Sequence, residues 1–195
     1  MIGVDIIDLR EVYWKSSTHL DRYAQKAFSL VEQECLNQHT SDKGLAIWTG
    51  WAIKESVYKL AFRSKPERYF KPKRLQLLSI DDADHFAVLD QSDQKVYKGK
   101  VIQTADYILA IATTSTDAVE NRAFAISKLN QSEATRAYTE QALIRWLGID
   151  RIRIDWRPYP IAFLGDKEIA HLSISHHGQW ATYAFYPVRI KQSLP

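Results

Sequence analysis

Residues 51–59 read WAIKESVYK and lie within a stretch from Lys43 to about Phe62 that contains no proline. Because Ser41 or Asp42 can cap its start, the stretch predicts one long helix. Aromatic residues recur along it at spacings of three and four, together with one acid and one lysine. The residues that share this helical face are Trp48, Trp51, Glu55, Tyr58, Lys59 and Phe62. The helix therefore presents a carboxylate and an ammonium group on an otherwise aromatic stripe.

The chain before this helix predicts a buried strand and a shorter helix. Residues 2–7 are aliphatic and β-branched around one acid, Asp5, which is the composition of a buried strand. Burial of an acid without a compensating group is costly, so Asp5 needs a partner. Further along, Ser29 and Glu32 have the spacing of a capping box, which predicts a helix that ends at about Gln38.

The chain after the long helix predicts strands, and the order of helix and strands is then repeated. Strand-like runs bounded by turn residues predict an antiparallel meander at residues 75–80, 86–89, 96–103 and 107–113. A second helix is predicted from Ser132, as its cap, to about Leu147, with Gly148 as its stop. A second meander is predicted at residues 151–156, 161–164, 169–175 and 180–186.

The two parts of the chain have similar patterns. Each is a helix followed by an antiparallel meander, and residues 105–112 resemble residues 177–185, which indicates a degenerate tandem duplication. The apolar pattern relaxes around residues 115–117, where we place the boundary between residues 1–116 and residues 117–195. The predicted fold class is therefore α+β, with two similar helix-plus-antiparallel-meander halves.

Composition excludes several classes of protein. The 195 residues include 26 Lys and Arg against 23 Asp and Glu, a net charge of +3, and 46% of them are hydrophobic. This balance is typical of a folded globular chain and does not indicate nucleic-acid binding. Cys35 is the single cysteine, which excludes an internal disulfide and fits a reducing compartment. No secretory signal and no apolar run of membrane-spanning length is present, so we expect a cytoplasmic protein that does not contact a membrane.

The first group of residues that can carry chemistry is the acid pair Asp5 and Glu55 with Lys59. Glu55 and Lys59 are four residues apart on one helix, so an ordinary ion pair along the helix is the commoner explanation. The apolar setting of Asp5 favours a functional explanation. Two carboxylates in one cleft repel each other unless a cation lies between them, and Mg²⁺ binds through one or two carboxylates plus substrate phosphates. Lys59 can then neutralise such a phosphate.

The second group is the stretch LSISHHG at residues 172–178. Strand alternation places Ser173 and Ser175 on one face, and the chain turns at Gly178. His176 follows the two hydroxyl groups at the strand end and can donate to a phosphate, while a surface histidine in a turn is equally consistent with the sequence. A serine hydrolase is disfavoured because the chain has no G-x-S-x-G motif, and it has no P-loop either.

The third group is the basic stretch from Arg63 to Arg74, which contains Tyr69 and Phe70. Residues 54–74 hold eight basic and two acidic side chains, a local excess of +6. A solvated loop is the usual outcome for such a charge run. The functional alternative is a docking surface for an anionic partner or a phosphate.

Three stretches taken together resemble the signature motifs of the 4′-phosphopantetheinyl transferase superfamily, namely GVDI at residues 3–6, WAIKESVYK at 51–59 and LSISH at 172–176. The resemblance implies a pseudo-twofold fold in which both halves contribute to one site. It also implies an enzyme that moves the 4′-phosphopantetheine group of coenzyme A onto a serine of an acyl or peptidyl carrier protein, with adenosine 3′,5′-bisphosphate as the second product.

The resemblance also implies roles for single residues. Asp5 and Glu55 would bind Mg²⁺ and Lys59 would contact a coenzyme A phosphate, which makes Glu55 and Lys59 the expected catalytic residues. Ser175 and His176 would bind the nucleotide phosphates. The proton of the attacking serine would go to Glu55 or to a metal-bound water, and both remain open.

The chain departs from the family pattern in several places. The half with the acids comes first, whereas the larger members of the family begin with the Ser-His half, so we expect a composite site between two halves in swapped order. Ile7 stands where the larger type often has a second acid, and water or Asp8 would complete the metal shell. The usual Gly-Lys-Pro is missing, and Arg157 would supply its cation. These departures keep one alternative open, a non-catalytic module that binds coenzyme A or a carrier protein.

Overall fold

A computed structural model describes residues 1–12, 17–64, 69–114, 119–156 and 159–188. The expected boundary at residue 116 and the expected site residue Arg157 lie outside these ranges. The first part of the chain contains β1 (Ile2–Asp8), α1 (Leu9–Val12), α2 (Ser17–Ala27), α3 (Leu30–His39), α4 (Lys43–Ala61), β2 (Leu75–Ile80), β3 (His85–Asp90), β4 (Lys95–Gln103) and β5 (Tyr107–Thr113). The second part contains β6 (Glu120–Ala125), α5 (Gln131–Leu147), β7 (Arg153–Asp155), β8 (Ile161–Leu164), β9 (Lys167–His177) and β10 (Trp180–Pro187).

The strands form two antiparallel sheets of five strands with the same connectivity. The first sheet has the order β1-β5-β4-β3-β2 and the second has the order β6-β10-β9-β8-β7. In each, an opening strand is followed by helix and then by a four-stranded meander whose last strand pairs with the opening strand. The prediction of an α+β fold with two similar halves is confirmed. The sequence analysis predicted β1 but missed α1, α2 and β6, and with β6 the second half also begins with a strand.

Local capping explains where the helices begin and end. The capping box predicted for α3 is present, since Glu32 Oε2 accepts from the Ser29 amide at 2.8 Å and Ser29 Oγ accepts from the Glu32 amide at 3.3 Å. Asp42 caps α4 by accepting from the Leu45 amide. The prediction that Ser132 caps α5 was wrong, because the cap position is two residues earlier, at Asn130, which has a left-handed conformation and provides no side-chain cap. Gly148 ends α5 at a φ of 66°, as predicted.

The long helix α4 packs directly on β1. A Cβ atom at Gly3 would collide with the carbonyl oxygen of Ser56 and would approach the backbone of Leu60, so only glycine permits this short separation. Every residue of β1 is buried, and the same strand packs on its other face against β9 and β10. The strand is therefore the layer that lies between α4 and the second sheet.

An apolar cluster joins the two sheets. Its fully buried members are Ile2, Val4, Ile6, Leu109, Ile111 and Ala184. They come from β1, β5 and β10, so the opening strand of the first half lies in the interface between the halves. Asp5 lies between Val4 and Ile6 in sequence, but it pairs with Ala110 and by strand alternation shares with Gly3 and Ile7 the opposite face of β1, on which α4 packs. Within the described ranges, no helix has the length and apolar character needed to cross a membrane.

Candidate functional site

Three elements meet at the carboxylate of Asp5. The residue is only 6% exposed. Lys59 on α4 donates from Nζ to Asp5 Oδ1 at 2.7 Å, and Ser175 on β9 donates from Oγ to the same oxygen at 2.8 Å. The partner that the sequence required for Asp5 is thus supplied from both sides of β1, by the helix of the first half and the sheet of the second.

The ammonium group of Lys59 is held by three oxygens. Besides Asp5, it donates to the Val4 carbonyl at 3.0 Å and to Ser175 Oγ at 3.1 Å. Spacing alone favoured an ion pair between Lys59 and Glu55 along the helix. Among the described residues, the ammonium group of Lys59 has an ion pair within 4 Å with Asp5 and none with Glu55. Lys59 therefore reaches across β1 to the second half, and its charge compensates the buried Asp5.

Glu55 lies one helical turn before Lys59 and is half-buried. Its pKa is raised from 4.5 to about 7, first by burial and then by repulsion from Asp5, while Lys59 acts in the opposite direction. Glu55 therefore lies close enough to Asp5 for the two carboxylates to repel each other, and Glu55 is close to half-protonated at neutral pH. A cation between them would remove the repulsion.

The two serines of β9 share one face, as strand alternation predicted, and both contact β1. Ser173 Oγ accepts from the Val4 amide at 3.0 Å, while Ser175 contacts Asp5 and Lys59. The bond from Ser173 matters because β1 pairs with β5 on one edge only, and a hydroxyl group of the second half satisfies an amide on the other. The sequence analysis placed Ser173 on this face without giving it a role, and only the packing of the two halves shows one.

His176 points to the opposite face of β9 from Ser175. Its Nε2 lies 3.0 Å from Oγ of Ser132 in the first turn of α5. It borders an open cavity of about 380 Å³ whose lining includes Lys128 and Gln131. The pKa of His176 is lowered, first by burial and then by the positive charges of Lys59 and His177. A neutral imidazole that carries one N–H group is therefore the main form at neutral pH.

Asp8, one of the two suggested completions of a metal shell, anchors the turn after β9. Its Oδ1 accepts from the Arg10 amide at 3.0 Å and its Oδ2 accepts from the Gln179 amide at 2.8 Å. In return, the Asp8 amide donates to Nδ1 of His177 at 3.0 Å. These bonds hold the end of β9 that carries His176 against β1. Both carboxylate oxygens of Asp8 are therefore used as hydrogen-bond acceptors for backbone amides.

Three of the basic residues counted in the stretch 54–74 bind buried groups of the protein. Lys54 is fully buried and contacts Glu32 Oε1 at 2.6 Å. Arg74 forms a two-point contact with the buried Asp90. The stretch is therefore neither a fully solvated loop nor one continuous basic surface, which were the two alternatives that the sequence left open. Lys71 and Lys73 remain exposed, and residues 65–68 lie outside the described ranges.

Arg63 is the third basic residue of this kind, and it crosses between the halves. It follows α4 directly, donates from Nη2 to the carbonyl of Leu172, and lies with Nη1 3.3 Å from His171 Nδ1. Its guanidinium group stacks over the ring of Tyr159 at 4.9 Å. Burial lowers the pKa of Arg63 to about 10, and burial together with Arg63 lowers the pKa of His171 to about 4. Arg63 and Lys59, four residues apart, thus form two successive bridges from α4 to β9.

The side chains around Asp5 suit a magnesium ion that is shared with a phosphate. No group of three or more His, Cys, Asp or Glu residues able to hold a metal occurs within the described ranges. Two carboxyl groups that repel each other, of which one has a raised pKa, still match the one or two carboxylates through which Mg²⁺ binds alongside phosphate oxygens. The residues therefore fit an ion that arrives with a substrate better than one held by the protein alone.

Comparison with known proteins adds an independent observation. A family model described as "4'-phosphopantetheinyl transferase superfamily" matches residues 1–112 of this chain. A holo-[acyl-carrier-protein] synthase of Mycoplasmopsis pulmonis (strain UAB CTIP) is 32% identical over 98 residues, which are 49% of this chain and 82% of that protein. The family match covers Asp5, Glu55 and Lys59 and ends within β5. Ser175 and His176 lie beyond it.

Proposed function

This chain belongs to the 4′-phosphopantetheinyl transferase superfamily, and from that premise we propose that it transfers the 4′-phosphopantetheine group of coenzyme A to a serine of an acyl or peptidyl carrier protein. The observation that carries the proposal is the contact among Asp5, Lys59 and Ser175. It brings together one residue from each of the three motifs, although they are 54 and 116 residues apart along the chain.

The acid pair is the proposed cation site. Asp5 and Glu55 would hold Mg²⁺, which when bound supplies positive charge to the diphosphate of coenzyme A. Deprotonation of Glu55 accompanies such binding because its pKa is raised in the protein without a cation. Lys59 is already oriented into the same place by Asp5, Val4 and Ser175, which accept all three hydrogen bonds that its ammonium group can donate, so a phosphate oxygen would replace one of these acceptors.

The second half is proposed to hold the nucleotide. Ser175 and His176 lie on opposite faces of β9, with Ser175 next to Lys59 and His176 next to the cavity at the start of α5. Ser175 would donate to the diphosphate, and His176 would donate to a phosphate in that cavity. Arg157 remains a proposed replacement for the cation of the missing Gly-Lys-Pro.

The proposed reaction is a displacement at phosphorus. The serine oxygen of the carrier protein attacks the β-phosphorus of coenzyme A, and the bond from that phosphorus to the bridging oxygen breaks. Adenosine 3′,5′-bisphosphate leaves, and the serine proton goes to Glu55 or to water. Lys59 and His176 are the cationic and N–H donors that stabilise the charge on the leaving group.

A single experiment tests the proposal against its alternative. The protein is mixed with coenzyme A, Mg²⁺ and an apo carrier protein, and the carrier is then weighed by mass spectrometry. We expect a gain equal to one 4′-phosphopantetheine group, and its loss in Glu55→Gln and in a sample treated with EDTA. Arg153→Gln, an exposed arginine of the second half, is the matched control and should behave as wild type.

The alternative is a module that binds coenzyme A or a carrier protein without transfer. It is favoured by the end of the family match before the second half and by the engagement of Asp8 in a turn. Coenzyme A binding by calorimetry without any mass gain on several apo carriers would establish the alternative. If the protein neither binds coenzyme A nor modifies a carrier, both the transferase and the binding module are contradicted. Cytoplasmic localisation remains a prediction, supported by the single cysteine.

A further inference from the structure

The apolar core between the two sheets extends beyond the area that the second sheet covers. Ile111 is buried in that core, and Ile102 and Val119 pack against its edge. Past these residues, a groove of about 730 Å³ lies over β4 and β5 and is bordered by the start of β6. This volume falls within the range of roughly 300–1,000 Å³ that is typical of small-molecule sites.

Strand alternation makes the floor of the groove both apolar and basic. Val96, Lys98, Lys100 and Ile102 alternate along β4 with residues that face α4, so they share the open face. Lys98 pairs across the ladder with Thr113, and Lys100 pairs with Ile111. The two ammonium groups therefore rise from neighbouring positions of one strand, directly beside the apolar edge of the core.

The charges of the groove are of one sign. Lys98 and Lys100 are exposed, and neither has an ion-pair partner within 4 Å in the described part of the chain. The described residues that line the groove include His85 and no acid. Like charges two residues apart on one face repel each other, while the aliphatic parts of both lysines extend the apolar floor. An anion between the two ammonium groups would remove this repulsion.

We propose that this groove binds a single-chain organic anion whose carboxylate lies between Lys98 and Lys100 and whose apolar tail lies along Ile102, Ile111 and Val119. Charge selects the ligand class, because a neutral chain leaves the repulsion in place and a cationic chain adds to it. The groove shares no residue with the acid pair or the Ser-His strand, so the inference stands apart from the proposed transfer reaction.

Titration calorimetry with dodecanoate, below its micelle concentration, tests the inference. We expect saturable binding of one molecule per chain, with amide shifts in NMR spectra at Gly99 and Asn121, which line the groove. The double variant Lys98→Glu with Lys100→Glu should weaken binding at least tenfold. The matched control replaces the equally spaced, exposed Lys71 and Lys73 by Glu and should leave the affinity unchanged.

Three results would overturn the inference. The first is equal affinity for dodecyltrimethylammonium, which has the same chain and the opposite charge. The second is the absence of dodecanoate binding up to millimolar concentration. The third is a wild-type protein that light scattering shows to be dimeric and that becomes monomeric in Val96→Asp, because the groove would then be an interface between two copies. Val96 is 46% exposed, so this substitution leaves the core intact.

Discussion

The two halves share one connectivity but differ in what covers their central helices. In α4, thirteen of nineteen residues are buried, because the first sheet lies on one side and α2 and α3 lie on others. In α5, three of seventeen residues are buried. The first half therefore holds the larger core and also the acid pair, and the second half supplies Ser175 and His176 from the edge of a smaller core. Two halves of one connectivity can thus differ in how much of the core each of them supplies.

The strongest test of this difference is Lys54, which belongs to the interior of the first half. Lys54→Met should destabilise the protein by about 3–5 kcal/mol, because Glu32 would keep a buried charge without its partner. Urea unfolding measures the effect. Lys43→Met removes the exposed ion pair with Asp21 and should cost less than about 1 kcal/mol. Equal losses of unfolding free energy in the two variants would show that the buried ion pair stabilises the protein no more than the exposed one.

The same substitution in both helices sharpens the comparison. Leu60 on α4 and Leu143 on α5 are both fully buried. Leu60→Ala should cost about 4 kcal/mol and Leu143→Ala about 2 kcal/mol, because the half-exposed neighbours of Leu143 can collapse into the space that is left. Both free energies of unfolding come from urea titration. A larger loss at Leu143 would reverse the assignment of the main core to the first half.

The pH dependence of stability should depend on Glu55. Its pKa is raised from 4.5 to about 7 in the folded protein, so the folded state binds the proton more tightly than the unfolded state does. The stability from this proton is complete below about pH 4.5 and is lost as the pH rises to about 7. Above that pH, in EDTA, Glu55→Gln should be more stable than wild type by about 2 kcal/mol.

Thermal unfolding at a series of pH values measures this gap between Glu55→Gln and wild type. Coenzyme A with Mg²⁺ should narrow it, since a cation between the carboxylates stabilises the deprotonated form of wild type alone. A gap that is constant from pH 4 to pH 8 would mean that the carboxyl group of Glu55 does not titrate in this range, and that the repulsion from Asp5 is already relieved.

The smallest expected effect concerns the contact between the halves at Arg63. Arg63→Met removes a charged donor from the carbonyl of Leu172, and it should lower the rate of carrier loading about tenfold, since β9 is no longer held against α4. The rate is followed at saturating coenzyme A, so that positioning is separated from binding. Arg63→Lys should recover part of the loss. If both variants change only the melting temperature, the contact is structural and does not position the site.

Local pattern predicted the elements well where turn residues bound an apolar run. The strands at residues 75–80, 107–113 and 161–164 have the predicted bounds. The strand at 120–125 was missed because its residues are all at least partly exposed and three of the six are polar, and it is defined by pairing with β10. The cap at Ser132 was wrong because a left-handed Asn130 caps the helix two residues earlier, which no periodicity shows.

The candidate site was accessible to sequence reasoning only in part. Burial of Asp5 and its need for a partner followed from composition, but helical spacing assigned Lys59 to Glu55, whereas packing directs it to Asp5. The contact with Ser175 depends on the register between two sheets, which no local signal contains, and only the resemblance of the three motifs linked these residues. Counting charges along the chain also ignored burial. Lys54 sits among Ala52, Ile53 and Val57, an apolar surrounding that could have indicated an interior position.

The three oxygens around the ammonium group of Lys59 have a thermodynamic consequence. A free lysine side chain loses rotamer freedom equivalent to roughly 1.5–2 kcal/mol when it is ordered. Here Val4, Asp5 and Ser175 order it during folding. An incoming anion therefore meets a cation whose conformational entropy has already been lost, and its binding is opposed by the hydrogen bond that it displaces instead of by the cost of ordering the side chain.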